Sequence, residues 1–253
     1  MAHPVIDSFG LPPASLELRQ NELHVWRVSV DRSPDELDRL ATTLDEDELA
    51  RAQRFRFEMD RRHFIARRGI LREILAAYLN RRAAELRYRL GSHGKPQLEE
   101  DSSLAVRFNL SHSADLALVA VARGCDVGVD VERVVPERAD RKVARRFFAE
   151  GEIEALERLG DHDFVEAFFR CWTRKEAYIK ARGEGLSFPL RQFEVNLGSD
   201  EPARIVRVEG DDEEARRWSM LAVHPGAGYA GAVVMEGSPA AVRSFAARSR
   251  FGA

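Results

Sequence analysis

The chain has 253 residues, 44% hydrophobic and 32% charged, with a formal net charge of −3 at pH 7. It is too apolar for a disordered protein, and its slight acidity argues against a dedicated nucleic-acid-binding protein while leaving room for a local basic site. No segment approaches the ~18 consecutive apolar residues of a membrane span, and no secretory leader is visible at the N-terminus, so we expect a soluble, cytoplasmic protein.

The order of predicted elements indicates an α+β fold. Each half of the chain shows a strand, then helices, then a run of strands. We therefore predict two similar subdomains, residues 1–125 and 126–253, each an antiparallel sheet with helices packed on it. The two cysteines, Cys125 and Cys171, are too few for a disulfide framework and are expected to be reduced core residues.

The first half begins with a predicted strand at Leu23–Val28 after a loose lead-in. Ser33-Pro34-Asp35-Glu36 has the pattern of a capping box and predicts a helix through Leu44. A second short helix is expected from about Asp45.

A basic patch follows in this otherwise acidic protein. Between residues 51 and 72 there are two acids and eight arginines: Arg51, Arg54, Arg56, Arg61, Arg62, Arg67, Arg68 and Arg72. We predict a long helix capped by Asp60 and ending at Leu79, with the arginines beside its apolar stripe. The patch is either an ordinary solvated face or a phosphate-binding surface that uses one or two of its arginines.

Lys95 lies in a glycine-rich segment that predicts a tight turn between extended segments. Strands are then expected at Ala105–Leu110, Asp115–Ala122 and Val127–Val131, arranged as an antiparallel meander. His112, with a serine on each side, falls at the predicted end of the first of these strands. It is either a structural histidine or part of an anion-binding or proton-transfer site.

Two carboxylates share one face of the third strand. The period of two in a strand places Asp130 and Glu132 opposite three valines. Like charges this close repel one another, so a third acid facing them would indicate a bound cation. The alternative is a solvent-exposed strand face.

A third carboxylate occupies an unexpected position in a long helix predicted from about Asp161 or Asp163 to Gly183. Phe169, Trp172, Glu176 and Ile179 fall on one helical face, which places the charge of Glu176 in an aromatic and aliphatic stripe. A carboxylate removed from water is costly unless it is paired or binds a metal. Lys180 lies one turn further, so either a ligand site or a simple ion pair between these two residues explains the pattern.

Four of these segments together resemble the 4′-phosphopantetheinyl transferase superfamily, in particular its larger, Sfp-like class. The resemblance extends from about Leu40 to Leu197 and is carried by Gly94-Lys95-Pro96, Asn109-Leu110-Ser111-His112-Ser113, Gly128-Val129-Asp130-Val131-Glu132 and Trp172-Thr173-Arg174-Lys175-Glu176-Ala177-Tyr178-Ile179-Lys180. It implies two similar α+β subdomains with a ligand cleft between them. It also implies that coenzyme A and Mg²⁺, or Mn²⁺, bind in that cleft.

The resemblance further implies roles for individual residues. The metal ligands would be Asp130, Glu132 and Glu176, with Glu176 also the base that deprotonates the acceptor and Lys180 assisting the departing phosphate. The coenzyme A contacts would be Arg51, Lys95, Asn109, Ser111 and His112. Lys95 and Arg51 are expected near the adenosine 3′-phosphate, where Arg54 or Arg62 could replace Arg51. The resemblance does not indicate whether Lys175 contacts a ligand or solvent.

The implied reaction moves the phosphopantetheine arm of coenzyme A onto a serine of an apo acyl or peptidyl carrier protein. We expect no nucleic-acid or membrane partner, and a monomer, because one chain already supplies both sides of the cleft. The basic segment Arg141–Arg146 is either a docking face for the carrier or a solvated helix. The alternatives to a transferase are a Mg²⁺-dependent phosphohydrolase acting on coenzyme A or a nucleotide, a non-catalytic scaffold, and an RNA-binding protein.

Overall fold

The computed structural model describes residues 5–91, 93–99, 106–211 and 213–247. The strands in these ranges are β1 (Val5–Ile6), β2 (Glu22–Ser29), β3 (Tyr88–Leu90), β4 (Pro96–Leu98), β5 (Val106–Ser113), β6 (Leu116–Arg123), β7 (Val127–Arg133), β8 (Phe193–Val195), β9 (Ile205–Val208), β10 (Trp218–Val223), β11 (Tyr229–Glu236) and β12 (Ala241–Ala246). The helices are α1 (Pro34–Ala41), α2 (Glu46–Gln53), α3 (Glu58–Leu79), α4 (Arg141–Phe147), α5 (Glu150–Glu157), α6 (Asp161–Arg182) and α7 (Glu214–Arg217).

Two four-stranded sheets with the same strand pattern form the two halves of the fold. In the first sheet the order is β12-β2-β6-β5, and in the second it is β1-β10-β11-β7. Each sheet has one parallel edge strand, β12 or β1, followed by three antiparallel strands. The predicted α+β fold with two similar subdomains is therefore confirmed, except that each sheet is mixed and not purely antiparallel.

The chain ends cross between the two sheets. β1 pairs in the sheet of the C-terminal half, and β12 pairs in the sheet of the N-terminal half. Sequence patterns did not indicate either strand. The division into subdomains of residues 1–125 and 126–253 stays a prediction. It does not apply to β1 and β12, because each of these strands pairs in the sheet of the other half.

Helix α3 supplies much of the N-terminal core. It begins after Phe57, which forms no side-chain cap, so the prediction that Asp60 caps this helix is wrong. Asp60 lies instead in the first helical turn, where a negative charge is favourable because of the helix dipole. The capping box predicted at Ser33 and Glu36 is present at the start of α1.

The predicted meander is only partly formed. β5 and β6 are antiparallel neighbours, but β7 leaves that sheet and pairs with β11. β5 and β7 are consequently the edge strands of different sheets, and they lie against each other where the two halves meet. Ser111, His112 and Ser113, predicted to follow the strand, belong to β5 itself.

Helix α6 packs directly on β7, and Gly128 allows this close approach. A Cβ atom at Gly128 would lie 2.2 Å from the carbonyl oxygen of Ala177 and 2.2 Å from the amide nitrogen of Ala181. These are backbone atoms of a helix, so they cannot move aside individually. The absence of a side chain at Gly128 therefore sets the distance between the acids of β7 and the side chains of α6.

Cys125 and Cys171 are buried free thiols, as predicted. Among the described residues, none of the helices combines the length and apolar character needed to cross a bilayer.

We expect Gly128→Ala to destabilise the protein by about 1–3 kcal/mol or more, because the added methyl group collides with the backbone of α6. Urea denaturation gives the free energy of unfolding. Gly226→Ala is the matched control, because a Cβ at Gly226 meets no described heavy atom within 4 Å. Equal stability of the two variants would show that α6 does not depend on this close contact.

Candidate active site

Helix α6 presents Trp172, Glu176 and Lys180 at intervals of four residues, so the three side chains share one side of the helix. The ammonium of Lys180 reaches β5 and β7, where it donates to Ser111 Oγ at 3.0 Å and to Asp130 Oδ1 at 2.5 Å. The described structure therefore pairs Lys180 with Asp130, and the simple ion pair between Glu176 and Lys180 that the sequence left open is not formed.

Asp130 is the most buried acid of this group, with 2% of its surface exposed. Its Oδ1 accepts from Lys180 and also from Ser111 Oγ at 2.7 Å. Its Oδ2 is buried and has no hydrogen-bond partner among the described residues. A buried carboxylate oxygen without a partner is costly, so this atom is available to a ligand.

Glu132 and Glu176 share the site with Asp130 and are both half-buried. Burial raises the pKa of Glu176, the negative charges of Asp130 and Glu132 raise it further, and Lys180 opposes the shift. Burial and the charge of Asp130 likewise raise the pKa of Glu132, against a hydrogen bond from Ser113. The three acids therefore repel one another electrostatically, and a cation would relieve that repulsion.

The described acids do not by themselves form a closed metal cage. No group of three His, Cys, Asp or Glu residues within the described ranges is arranged closely enough to hold an ion as it stands. The positive charge beside Asp130 is the ammonium of Lys180. The donor set fits a hard divalent cation, since it consists of carboxylates and includes the unpartnered Oδ2 of Asp130.

Polar side chains of β5 connect the two halves at the site. Asn109, Ser111 and Ser113 alternate along β5, so they project from the same face. Asn109 Oδ1 accepts from the Val129 amide at 2.9 Å. Ser111 Oγ donates to Asp130, and Ser113 Oγ donates to Glu132 Oε2 at 2.8 Å. The N-terminal half thus holds the acids of the C-terminal half through side chains.

These contacts limit what Asn109 and Ser111 can offer to coenzyme A. Ser111 Oγ both donates to Asp130 and accepts from Lys180, and the carbonyl oxygen of the Asn109 side chain is engaged by β7. The amide nitrogen of Asn109 has no hydrogen bond within the described ranges. The predicted coenzyme A contacts of both residues stay predictions.

His112 lies next to this network on β5. Partial desolvation lowers its pKa to about 4, with further lowering by the charges of Arg67, Lys180 and His63. The side chain of His112 is exposed, and the charges of Arg67 and Lys180 act on its imidazole. An environment of this kind favours an anion.

Three arginines of the patch, Arg62, Arg68 and Arg72, make structural contacts. Arg72 donates to Glu48 Oε2 and Asp45 Oδ2, at 2.6 and 2.5 Å, and Arg68 donates to Glu48 Oε1. Arg62 donates to the carbonyl of Arg32. The contacts of Arg68 and Arg72 hold the start of α2 on α3, so these arginines have a structural role that needs no ligand.

Two arginines of the patch contact the ring of Phe64. The guanidinium groups of Arg51 and Arg67 lie 5.5 and 5.0 Å from the ring centroid of Phe64, and no described carboxylate lies within ion-pair distance of either. Desolvation and the charges of Arg51 and Arg68 lower the pKa of Arg67 to about 10. Arg51 and Arg67, together with His112, therefore form the basic side of the site.

Lys95 joins the N-terminal half of the chain to the end of α6. Its ammonium donates to the carbonyls of Val127, Lys180 and Ala181, at 2.9, 2.7 and 3.3 Å. It thereby caps the C-terminal end of α6 from the N-terminal half of the chain. Burial lowers its pKa to about 8. Its predicted contact with the adenosine 3′-phosphate is untested and would require the ammonium to leave these carbonyls.

Two family models match adjoining parts of the chain: "4′-phosphopantetheinyl transferase, N-terminal" over residues 29–124 and "4′-phosphopantetheinyl transferase superfamily" over residues 126–234. The 4′-phosphopantetheinyl transferase HetI of Nostoc sp. is 40% identical over 89% of this chain and 92% of its own length. The chain belongs to the 4′-phosphopantetheinyl transferase superfamily.

Other transferases are related at lower identity. The enzyme psf-1 of Bacillus pumilus is 31% identical over 67% of this chain and 71% of its own length. The human L-aminoadipate-semialdehyde dehydrogenase-phosphopantetheinyl transferase is 30% identical over 70% of this chain and 62% of its own length. The predicted resemblance and the predicted class of enzyme are thus confirmed.

Lys175, within the transferase motif on α6, serves the fold and not the candidate site. Lys175 is fully buried, donates to the carbonyls of Leu190 and Phe193, and pairs with Glu152 Oε2 at 2.8 Å. Glu152 also accepts from the amides of Ala149 and Val195. The open question about Lys175 is therefore answered in the described structure: it contacts neither the cleft nor bulk solvent.

Sequence analysis missed three residues of the candidate site and its support, namely Ser113, Arg67 and Glu152. Ser113 could have been found from its spacing of two and four residues from Ser111 and Asn109. No sequence pattern distinguished Arg67 from its neighbouring arginines. The difference is that Arg68 and Arg72 bind Glu48 of α2, whereas Arg67 does not. Glu152 carries no motif, and only the packing of α5 on α6 brings it to Lys175.

We expect Lys175→Met to cost about 3–5 kcal/mol of stability, because it leaves Glu152 buried without its cation. The double variant Glu152→Leu/Lys175→Met should recover much of this loss. The free energy of unfolding in urea measures both effects, with exposed Lys142→Met as the control. A single variant as stable as the control would contradict the structural role of Lys175.

Proposed function

We propose that this protein transfers the 4′-phosphopantetheine arm of coenzyme A to a serine hydroxyl of an apo acyl or peptidyl carrier protein, with Mg²⁺ and with release of adenosine 3′,5′-bisphosphate. The observation that carries the proposal is the meeting of Asp130, Glu132, Glu176 and Lys180 at the seam between β5 and β7. Membership of the transferase superfamily supports the reaction class.

The basic side of the site suits the nucleotide part of coenzyme A. Arg51 and Arg67 lack acid partners among the described residues, and His112 lies close enough to Arg67 for its pKa to be lowered by that charge. Coenzyme A brings a pyrophosphate and a 3′-phosphate, which such donors bind through charge-assisted hydrogen bonds. We assign the phosphates to this side, with Arg51 toward the 3′-phosphate and His112 toward the pyrophosphate.

The acidic side suits the metal and the acceptor. Asp130, Glu132 and Glu176 would hold Mg²⁺, or Mn²⁺, which when bound withdraws charge from the phosphorus under attack. The unpartnered Oδ2 of Asp130 supports this fit. The half-buried Glu176, whose pKa is raised, is our candidate for the base that accepts the proton of the acceptor serine.

The transfer makes one bond and breaks one bond. The serine oxygen attacks the phosphorus that bears the pantetheine arm, and its proton passes to Glu176. The bond from that phosphorus to the bridging pyrophosphate oxygen breaks, and the electron pair remains on the phosphate of adenosine 3′,5′-bisphosphate. Lys180 neutralises or protonates this leaving phosphate. To do so, its ammonium must leave Asp130 and bind the phosphate. One chain supplies both sides of the site, so we propose a monomer.

The test of this function is the intact mass of several apo carrier proteins after incubation with the protein, coenzyme A and Mg²⁺. We expect a gain of about 340 Da, one phosphopantetheine, which EDTA abolishes because the metal-assisted step is lost. Hydrolysis of coenzyme A without any gain would indicate a phosphohydrolase. Bound but unchanged coenzyme A would indicate a scaffold.

We expect Glu176→Gln to lower kcat by at least about 100-fold, because a general base typically contributes that much, while the melting temperature stays within a few degrees. Glu150→Gln, at an exposed position on α5, is the matched control. Mass spectrometry of the carrier over time gives kcat for each variant. Turnover at the control rate would remove Glu176 from the mechanism.

A further inference from the structure

The ammonium group of Lys95 meets three backbone carbonyls that belong to two different elements. It donates to the carbonyl of Val127 at 2.9 Å, to that of Lys180 at 2.7 Å and to that of Ala181 at 3.3 Å. An ammonium carries three hydrogens, so these acceptors can take all of them. In the described structure the protein itself therefore satisfies the donors of Lys95.

Two of the three carbonyls lie in the last turn of α6. The last carbonyls of a helix have no partner inside the helix, and together they form its negative end. Gly183 ends α6 with a φ of 73°, and its amide donates to the carbonyl of Ile179 at 3.0 Å. This cap does not cover the carbonyls of Lys180 and Ala181, so Lys95 supplies the positive charge and the hydrogen bonds at this end of the helix.

The third carbonyl belongs to Val127, the first residue of β7. The next residue, Gly128, is the point where β7 lies against the backbone of α6. Lys95 therefore holds β7 and α6 together beside this contact. The same two elements carry the ion pair between Asp130 and Lys180, so the position of Lys95 bears directly on the geometry of the site.

The turn that carries Lys95 is closed by its own hydrogen bonds. The amide of Gly91 donates to the Lys95 carbonyl, and the amide of Gly94 donates to the Gly91 carbonyl, both at 2.9 Å. Gly94 has a φ of 79°, a conformation that suits glycine. A Cβ at Gly183 would lie 3.7 Å from Lys95 Cδ, so the stem of the lysine runs along the end of α6.

We propose that Lys95 is a positioning residue for the transfer reaction, which holds the end of α6 and the start of β7 so that Lys180 and Asp130 lie at the site, and that it does not bind the adenosine 3′-phosphate. This inference rests on the proposed transferase function, because that function assigns Lys180 to the leaving phosphate. The 3′-phosphate is then left to the exposed Arg51.

The test compares Lys95→Met with Arg27→Met. The first variant keeps an apolar stem but leaves the three carbonyls without their donor. The second removes another hydrogen bond between the two halves, from Arg27 to the carbonyl of Pro225 at 3.1 Å, and neither of these residues belongs to α6 or β7. Circular dichroism selects a temperature at which both variants are folded. Lys95→Gln, which keeps two N–H donors, replaces Lys95→Met if that variant does not fold.

Binding and turnover separate the positioning role from a contact with the ligand. We expect Lys95→Met to lower kcat on the order of tenfold or more, because Lys180 is displaced. Isothermal titration calorimetry gives Kd for coenzyme A and for 3′-dephospho-coenzyme A, and we expect the ratio of the two to equal that of the wild type. A direct contact with the 3′-phosphate predicts that the preference for coenzyme A falls on the order of tenfold or more, because a charge-assisted hydrogen bond is lost.

Hydrogen–deuterium exchange with mass spectrometry reports on α6 without any reaction. Peptides that cover the end of α6 and the start of β7 should exchange faster in Lys95→Met, because local opening is easier there, and as in the wild type in Arg27→Met.

A reduced preference for coenzyme A over its dephospho form would overturn the proposal. Unchanged kcat and exchange in Lys95→Met, or equal effects in Arg27→Met, would overturn it as well. Faster exchange with an unchanged Kd ratio, in a protein whose wild type transfers nothing to any carrier, would support the positioning of α6 by Lys95 and reject the transferase function.

Discussion

The site depends on the contact between two edge strands that belong to different sheets. β5 and β7 are not joined by backbone pairing, and Asn109, Ser111 and Ser113 bridge them with side-chain hydrogen bonds. The unpaired edges of two sheets usually require protection from solvent or other chains. Here each edge covers the other, and the acids of β7 are positioned by the opposite half of the protein.

This arrangement explains how three carboxylates are kept close together. Desolvation, and to a smaller extent repulsion between the acids, raises the pKa of Glu132 and of Glu176, so added positive charge is favourable at this point. Lys180 supplies one positive charge, and Ser111 and Ser113 supply hydrogen bonds to Asp130 and Glu132. Among the residues that the structure describes, one carboxylate oxygen of Asp130 has no hydrogen-bond partner, which supports the proposal that a cation completes this site.

Helix α6 performs two tasks with adjacent residues. The side that carries Trp172, Glu176 and Lys180 faces the site, while Arg174 and Lys175 are buried and fasten the helix to the segment around residues 190–198. Gly128 brings β7 against the same helix, and Lys95 holds its C-terminal end. The side chains that face the ligands are therefore supported from both halves, which limits their movement relative to one another.

Local patterns were sufficient to predict the long helices, the strands β5, β6 and β7 and the three acids, but not the terminal strands β1 and β12. The capping box at Ser33, the alternation around Asp130 and the charge of Glu176 within an apolar stripe depend on short-range spacing, and the structure contains all three features. The pairing of Lys180 with Asp130, the separation of Arg67 from the structural arginines, and the capping of α6 by Lys95 could not be predicted in this way. These three contacts form between residues that are far apart in the sequence. They depend on which helices and strands pack together once β7 pairs with β11 and not with β6. Spacing along the chain does not specify such long-range packing.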